Sequence, residues 1–228
     1  GSFGRGLNFN LTGGILLNQK FALELGLNYI KSSEYEGKSV ITERYADMGY
    51  VIQQITTKKY VGRMFSFSPA LVFQTELNQK YNCYLKLGMV IGKGWYNSEN
   101  QYHLDQPAQF PDTIIDRKFE FTGGFSIGTV AAIGVTRPLS DNVSFYAEIN
   151  IININAYPTK GALIEYKING VDNMSKATPN EKSAEYSEEI NYSSSNEKTQ
   201  PTKNLLAPIP FNSWGINLGL SYKLGKKS

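Results

Sequence analysis

One histidine serves the whole chain: His103, in the stretch NQYHLDQPAQF, with Asp105 two residues on. A histidine beside an acid could activate a serine for hydrolysis or transfer of lipid acyl chains. The sequence defines no partner for it, so His103 reads as a loop residue without catalytic duty and the chain as no enzyme. Cys83 is the only cysteine, which excludes an internal disulfide and a thiolate metal site. Glu181, Glu185, Glu188 and Glu189 could attract divalent cations, but Lys160, Lys167, Lys176, Lys182, Lys198 and Lys203 are interleaved with them. That segment reads as solvated and nearly neutral, and neither a metal nor a cofactor is expected. The charges with a more specific reading are isolated ones. Glu24, Lys86, Glu120, Glu148 and Lys223 stand singly among Gly, Ser, Asn and Thr residues. Opposite charges spaced in this way can pair across a narrow interior, and either hold it shut or line a conduction path.

The elements that position these charges have a period of two. Phe21, Leu23, Leu25, Leu27 and Tyr29 alternate with Ala22, Glu24, Gly26 and Asn28. Trp214, Ile216, Leu218, Leu220 and Tyr222 alternate with Gly215, Asn217, Gly219 and Ser221. Such alternation makes strands with one apolar face and one small or polar face. Seven are expected, over 6–17, 21–31, 63–75, 81–94, 118–137, 143–155 and 212–224, in one all-β domain spanning 1–228. The tetrad Leu-Asn-Gln-Lys occurs at 17–20 and again at 77–80, each time leading into an aromatic that launches a strand. These stretches and 138–142 are tight hairpin turns. The remaining connections, 32–62, 95–117 and 156–211, are long and polar.

Short turns at one end and long loops at the other describe a closed antiparallel up-and-down transmembrane β-barrel, with periplasmic turns and extracellular loops. The apolar face then meets lipid. Phe21, Tyr81, Phe119, Trp214 and Tyr222, near strand ends, form an aromatic girdle at the membrane interfaces. Cys83 sits on the same lipid-facing side. Such barrels use an even number of strands, so an eighth, upstream of Gly1, is expected to complete the seven. No run of 18 apolar residues suggests a transmembrane helix. A net charge of +3 with scattered basic residues excludes a nucleic-acid partner.

The stretches GSFGRGLNFNLTGG, NQKFALELGLNY, VSFYAEINIININAYP and PIPFNSWGINLGLSYKL resemble the outer-membrane β-barrel domain proteins of Bacteroidetes-type bacteria, small OmpA-like or OmpX-like barrels. The resemblance covers most of the strands and carries no catalytic signature. It implies a first strand before the GSFG stretch, and a last strand ending on an apolar or aromatic residue read by the assembly machinery. Here GKKS follows Leu224. The expected role is a non-enzymatic one in the envelope: a structural or adhesive barrel, or an accessory subunit of a larger outer-membrane complex. Its partners would be outer-membrane lipid, lipopolysaccharide and proteins met through the loops. A narrow porin-like channel and a lipid-modifying enzyme are the alternatives. Within 32–62 the alternation persists through SVITERYADMGYVIQQITTKKYVG, and GALIEYKING and EYSEEINYSSS follow suit in 156–211. These stretches can raise the strands into a tyrosine-rich crown suited to protein or glycan contact.

Overall fold

The structure, a computed structural model, describes residues 2–45, 50–78, 80–105, 111–190 and 198–224. The alternating stretches all form strands: β1 (Gly6–Leu16), β2 (Phe21–Ser32), β3 (Tyr35–Tyr45), β4 (Tyr50–Asn78), β5 (Tyr81–Asp105), β6 (Thr113–Pro138) and β7 (Val143–Asn153). Shorter pieces follow: β8 (Asn155–Ala156), β9 (Pro158–Ile168), β10 (Val171–Asp172), a 3-10 turn (Met174–Lys176), α1 (Pro179–Lys182), β11 (Ser183–Ser187), β12 (Thr202–Leu205), β13 (Ile209–Pro210) and finally β14 (Ser213–Tyr222). The chain is all-β, and its pairings are antiparallel except for β11 with β12. Among the described residues no helix is long and apolar enough to cross a membrane, which does not bear on crossing by strands.

Two sheet regions share the three long strands. In the lower region the order is β1-β2-β4-β5-β6-β7-β14. In the upper region the far halves of β4, β5 and β6 are flanked by β3 on one side and by β9, β11 and β12 on the other. The 25 residues of β5 cover roughly 80 Å at about 3.3 Å per residue. The stretches expected as loops, 32–62 and 95–117, are therefore largely strand. Pairing continues from Arg63↔Trp95 up to Gln53↔Asp105, and from Trp95↔Thr122 up to Leu104↔Thr113. Part of EYSEEINYSSS, residues 191–195, lies outside the described residues.

The tight turns show why one tetrad is used twice. Asn18 Oδ1 accepts the backbone N–H groups of Lys20 and Phe21 at 2.8 and 2.9 Å. Asn78 Oδ1 accepts those of Lys80 and Tyr81 at 2.9 and 3.0 Å. In both places the amide side chain replaces a missing backbone acceptor, closes the turn and fixes the register of the next strand.

β1 and β14 are the edges of the lower region, and among the described residues no ladder joins them. Both run from the crown end to the tight-turn end, because each is antiparallel to an upward strand. At the crown end the edges are stitched together. Phe3 N–H donates to the Pro210 carbonyl at 2.9 Å, and Ser2 Oγ donates to the Asn212 carbonyl at 2.6 Å.

Side chains divide by parity. Leu23, Leu87, Ile133, Ile149 and Leu218 are 46 to 66% exposed on the outer face, whereas Val72, Val90, Ala132, Glu148 and Asn150 are buried on the inner one. A β-bulge then reverses the parity of β6. The β5–β6 register shifts between Lys93 and Trp95, and the β6–β9 register shifts between Thr122 and Gly123. A Cβ at Gly123 would lie 2.1 Å from the Tyr157 carbonyl oxygen, so only glycine allows the backbones this close. Below the bulge the inner residues of β6 are even-numbered (Ser126, Ala132, Gly134). Above it they are Phe121, Phe119 and Arg117, opposite Tyr96, Ser98 and Asn100. Glu120 is consequently exposed on the outer face rather than in the interior, and Phe119 turns inward rather than joining a girdle.

Candidate functional site

The interior is built in three tiers, two in the lower region and one in the crown. At the bottom, three of the five isolated charges meet. Lys86 Nζ lies 2.9 Å from a Glu24 carboxylate oxygen and 3.4 Å from Glu148 Oε2. The Tyr84 hydroxyl donates to Glu148 Oε2 at 2.8 Å, and Asn217 Nδ2 donates to Glu148 Oε1 at 2.9 Å. Glu148 is 7% exposed, so a carboxylate taken from water is compensated by one ammonium and two neutral donors drawn from β5 and β14. Glycines make room for the rings: a Cβ on Gly134 would fall 2.4 Å from Tyr84, and one on Gly219 would fall 2.6 Å from Tyr146. Asn10 Nδ2 donates to Asn28, whose Nδ2 donates to Ser68 Oγ at 2.9 Å. What remains open among these side chains is about 20 Å³, room for one water. Lys223 is not part of this cluster. It lies exposed one residue beyond β14, its N–H donating to the Asn142 carbonyl at 2.8 Å.

The second tier is apolar. Ile30, Met64, Val90, Ile152, Ile154, Ala156 and Phe211 form one buried cluster, with Phe3, Val130 and Ile209 packed against it. Phe211 is fully buried, carried into the mouth by β13, which pairs with β8. This layer caps the polar cluster beneath it.

The third tier is the inner face of the crown, which holds an open pocket of about 360 Å³. Tyr96 and Phe121 stack at 4.4 Å with planes 7° apart, and Tyr186 meets Phe121 edge-on at 6.2 Å. Arg117 lies 4.8 Å over the Tyr166 ring, with Nη2 3.5 Å from Glu181 Oε1. Asn100, Asn180, Asn204 and Lys182 complete the polar lining. The turn carrying Glu181 is a capping box: its carboxylate accepts the Thr178 N–H at 2.9 Å and the Thr178 hydroxyl at 2.8 Å, which holds it below the usual carboxylate range. Burial pushes the Tyr96 and Tyr186 hydroxyls upward, so both stay neutral. Aromatic faces beside amides, a guanidinium and a carboxylate suit a saccharide, whose C–H faces stack and whose hydroxyls bridge donors and acceptors. Sequence reasoning finds the tyrosine-rich crown but not Arg117, Phe121 or Tyr186 as neighbours. The pair Gly123-Gly124 was the available sign that parity changes there.

A hydrolytic centre is not assembled among the described residues. His103 Nε2 faces Asp112 at 3.7 Å rather than Asp105, near the top of β5. One Gly-x-Ser-x-Gly sequence, Gly124–Gly128, escapes the sequence reading, but it lies within β6 and not on a strand-to-helix turn. Ser126 is buried opposite Gly92, which places His103 eleven residues away along β5, roughly 35 Å. No three His, Cys, Asp or Glu side chains gather as metal ligands among the described residues.

On the outer face, aromatics collect at two levels. Phe21 pairs with Phe73 at 5.4 Å beside the tight turns, where Tyr81 lies under Arg137 at 5.9 Å and Tyr222 is exposed. Farther up, Tyr29 meets Phe65 at 4.7 Å, Phe65 meets Trp95 at 5.8 Å, and Trp214 is 78% exposed. Comparison of the chain with protein-family models, with curated proteins and with solved structures found no match.

Proposed function

We propose that the chain is an integral outer-membrane β-barrel with a non-enzymatic envelope role, which presents its crown as a binding surface for a saccharide-bearing partner. The observation that carries the reading is the outer face. On all seven strands of the lower region, Leu, Ile, Val, Met and Phe side chains point outward and are exposed, while Glu24, Lys86, Glu148, Asn28, Asn150 and Asn217 point inward. In water so large a continuous apolar surface would drive association; in hydrocarbon it is the solvated side. From Phe21 to Tyr29 the band covers eight residue steps, about 26 Å along the strand, and aromatics bound it at both ends, as a bilayer interface favours.

The barrel closes through the gap between β1 and β14. Both edges run downward, so one strand running upward pairs antiparallel with each and makes eight.

The test is solubility and insertion. Purified chain should be monodisperse only in detergent, and should float with phosphatidylcholine vesicles after a urea wash. A monodisperse, detergent-free chain refutes the reading. For the crown, binding on a glycan array that disappears in Arg117→Ala and Tyr186→Ala is the expected result.

A further inference from the structure

The outer face carries a row of cations at the upper aromatic level. Lys31 on β2 is directly opposite Arg63 on β4, and Arg63 is directly opposite Trp95 on β5. Lys93 lies two residues before Trp95, opposite both Phe65 and Phe125. Arg5 precedes β1, and its carbonyl accepts the Ser33 N–H at 2.7 Å, two residues beyond Lys31. Lys31, Lys93 and Arg5 are exposed and Arg63 is half-buried. Like charges directly opposite on neighbouring strands repel one another, so Lys31 against Arg63 weakens the sheet unless an anion lies between them. The protein supplies none: among the described residues, no carboxylate oxygen is within 4 Å of any of the four. The nearby acids are engaged higher in the crown, Glu34 and Glu36 with Lys59, Glu99 with Lys118 and Glu165 with Lys167.

We propose that Arg5, Lys31, Arg63 and Lys93 form a clamp for the phosphate of an anionic lipid headgroup in the leaflet at the crown end. This inference rests on the membrane reading above and adds a headgroup site to it. The position fits the ligand. Lys93 lies level with the Tyr29–Phe65 pair, Lys31 and Arg63 lie two residue pairs above it and Arg5 four residues above Phe9, where the apolar band ends and headgroup phosphates begin. They span four adjacent strands, about 14 Å across at the usual inter-strand spacing, which accommodates two phosphates on one headgroup or on neighbours. The guanidinium of Arg63 can bind phosphate through two parallel N–H donors, with the lysines as flanking point charges.

Trp95 provides the probe. In a Trp214→Phe background it is the sole tryptophan, opposite Arg63. The chain is reconstituted in phosphatidylcholine bilayers doped with either brominated phosphatidylglycerol or brominated phosphatidylcholine, and quenching of Trp95 is titrated. The anionic lipid should quench at lower mole fraction, and inorganic phosphate in solution should not relieve it. Each cation removed should weaken the preference about fivefold, so Lys31→Gln/Arg63→Gln/Lys93→Gln abolishes it while Lys59→Gln leaves it intact. Arg63→Gln alone, a milder change, should show the single fivefold step. Lys31→Gln should also leave the thermal midpoint in neutral lipid unchanged or raised, because it relieves repulsion, yet remove part of the rise that phosphatidylglycerol gives the parent. A parent chain that inserts but quenches equally with both lipids overturns this inference alone, as does relief by inorganic phosphate. A chain that never enters the bilayer overturns the membrane reading with it.

Discussion

Replacing Lys86 by Met keeps the length of the side chain but deletes the one ammonium between Glu24 and Glu148. The structure sets the size of the effect. Glu148 is 7% exposed and Glu24 27%, at 3.4 and 2.9 Å from Lys86 Nζ, and about 20 Å³ of space remains nearby, too little to resolvate two carboxylates. Breaking a buried pair by removing one partner costs about 3–5 kcal/mol, because a charge is left uncompensated. The Tyr84 and Asn217 donors still hold Glu148 in the variant, which places the expected loss at the lower end, about 3 kcal/mol. Equilibrium urea unfolding in detergent micelles, followed by far-ultraviolet circular dichroism, measures it. The companion Glu24→Gln/Lys86→Met/Glu148→Gln removes all three charges and should recover most of the loss. A single variant within about 1 kcal/mol of the parent, or a triple variant less stable than the single, refutes the account of the interior as a dry, mutually compensated cluster.

Three further outcomes follow from the tiers. Phe211→Ala empties the centre of the apolar layer and should cost about 3–5 kcal/mol; planar-bilayer recordings should show no steady conductance for the parent and flickering openings for the variant, and stable ion-selective steps in the parent would contradict the closed interior. Gly123→Ala puts a Cβ 2.1 Å from the Tyr157 carbonyl and should cost about 2–3 kcal/mol while lowering affinity for any crown ligand, whereas Gly124→Ala, with open space around it, should be near neutral by the same unfolding measurement. The Glu181 carboxyl is depressed in the folded chain, so its contribution is present above the ordinary carboxylate pKa and lost as pH falls through the lower folded value; amide hydrogen exchange at Glu181 and Lys182, whose N–H groups bond the Thr178 carbonyl, should accelerate relative to neighbouring amides in that acidic window and keep a constant ratio to them above it.

The strands and tight turns were legible because a period of two is a local property. Each residue from Phe21 to Tyr29 reports its face without knowledge of its neighbours in space, and the Leu-Asn-Gln-Lys turns close through bonds within four residues. The meeting of Glu24, Lys86 and Glu148 was readable to the extent that parity held from one strand to the next. It failed at Glu120 and Phe119 because a bulge shifts parity by one, and two glycines in a strand signal a bulge without saying which partner they accommodate. Lys223 has the right parity but lies past the last pair of β14, an end that alternation alone does not fix. The crown pocket was illegible for a different reason. Arg117, Glu181 and Tyr186 belong to three segments brought together by β9 and the capping-box turn, contacts with no local period.

The bulge also explains how one set of strands carries an apolar outer face below and a charged one above. Without it, the odd positions of β6 that face outward as Phe125, Ile127 and Ile133 would continue outward as Phe121 and Phe119, and Glu120 would point into the crown. Shifting the register by one residue at Thr122–Gly123 ends the outward apolar run where the cation row begins, and turns the next aromatics inward to Tyr96 and Tyr186. The outer face above that level is then carried by Lys59, Glu99, Lys118 and Glu165, which are solvated and paired. A sheet that kept one parity over the whole of β6 would either bury charge in the crown or expose phenylalanine to water. On the membrane reading proposed above, the change of face is what lets the same three strands pass from the apolar band to a ligand-sized aromatic cavity above it.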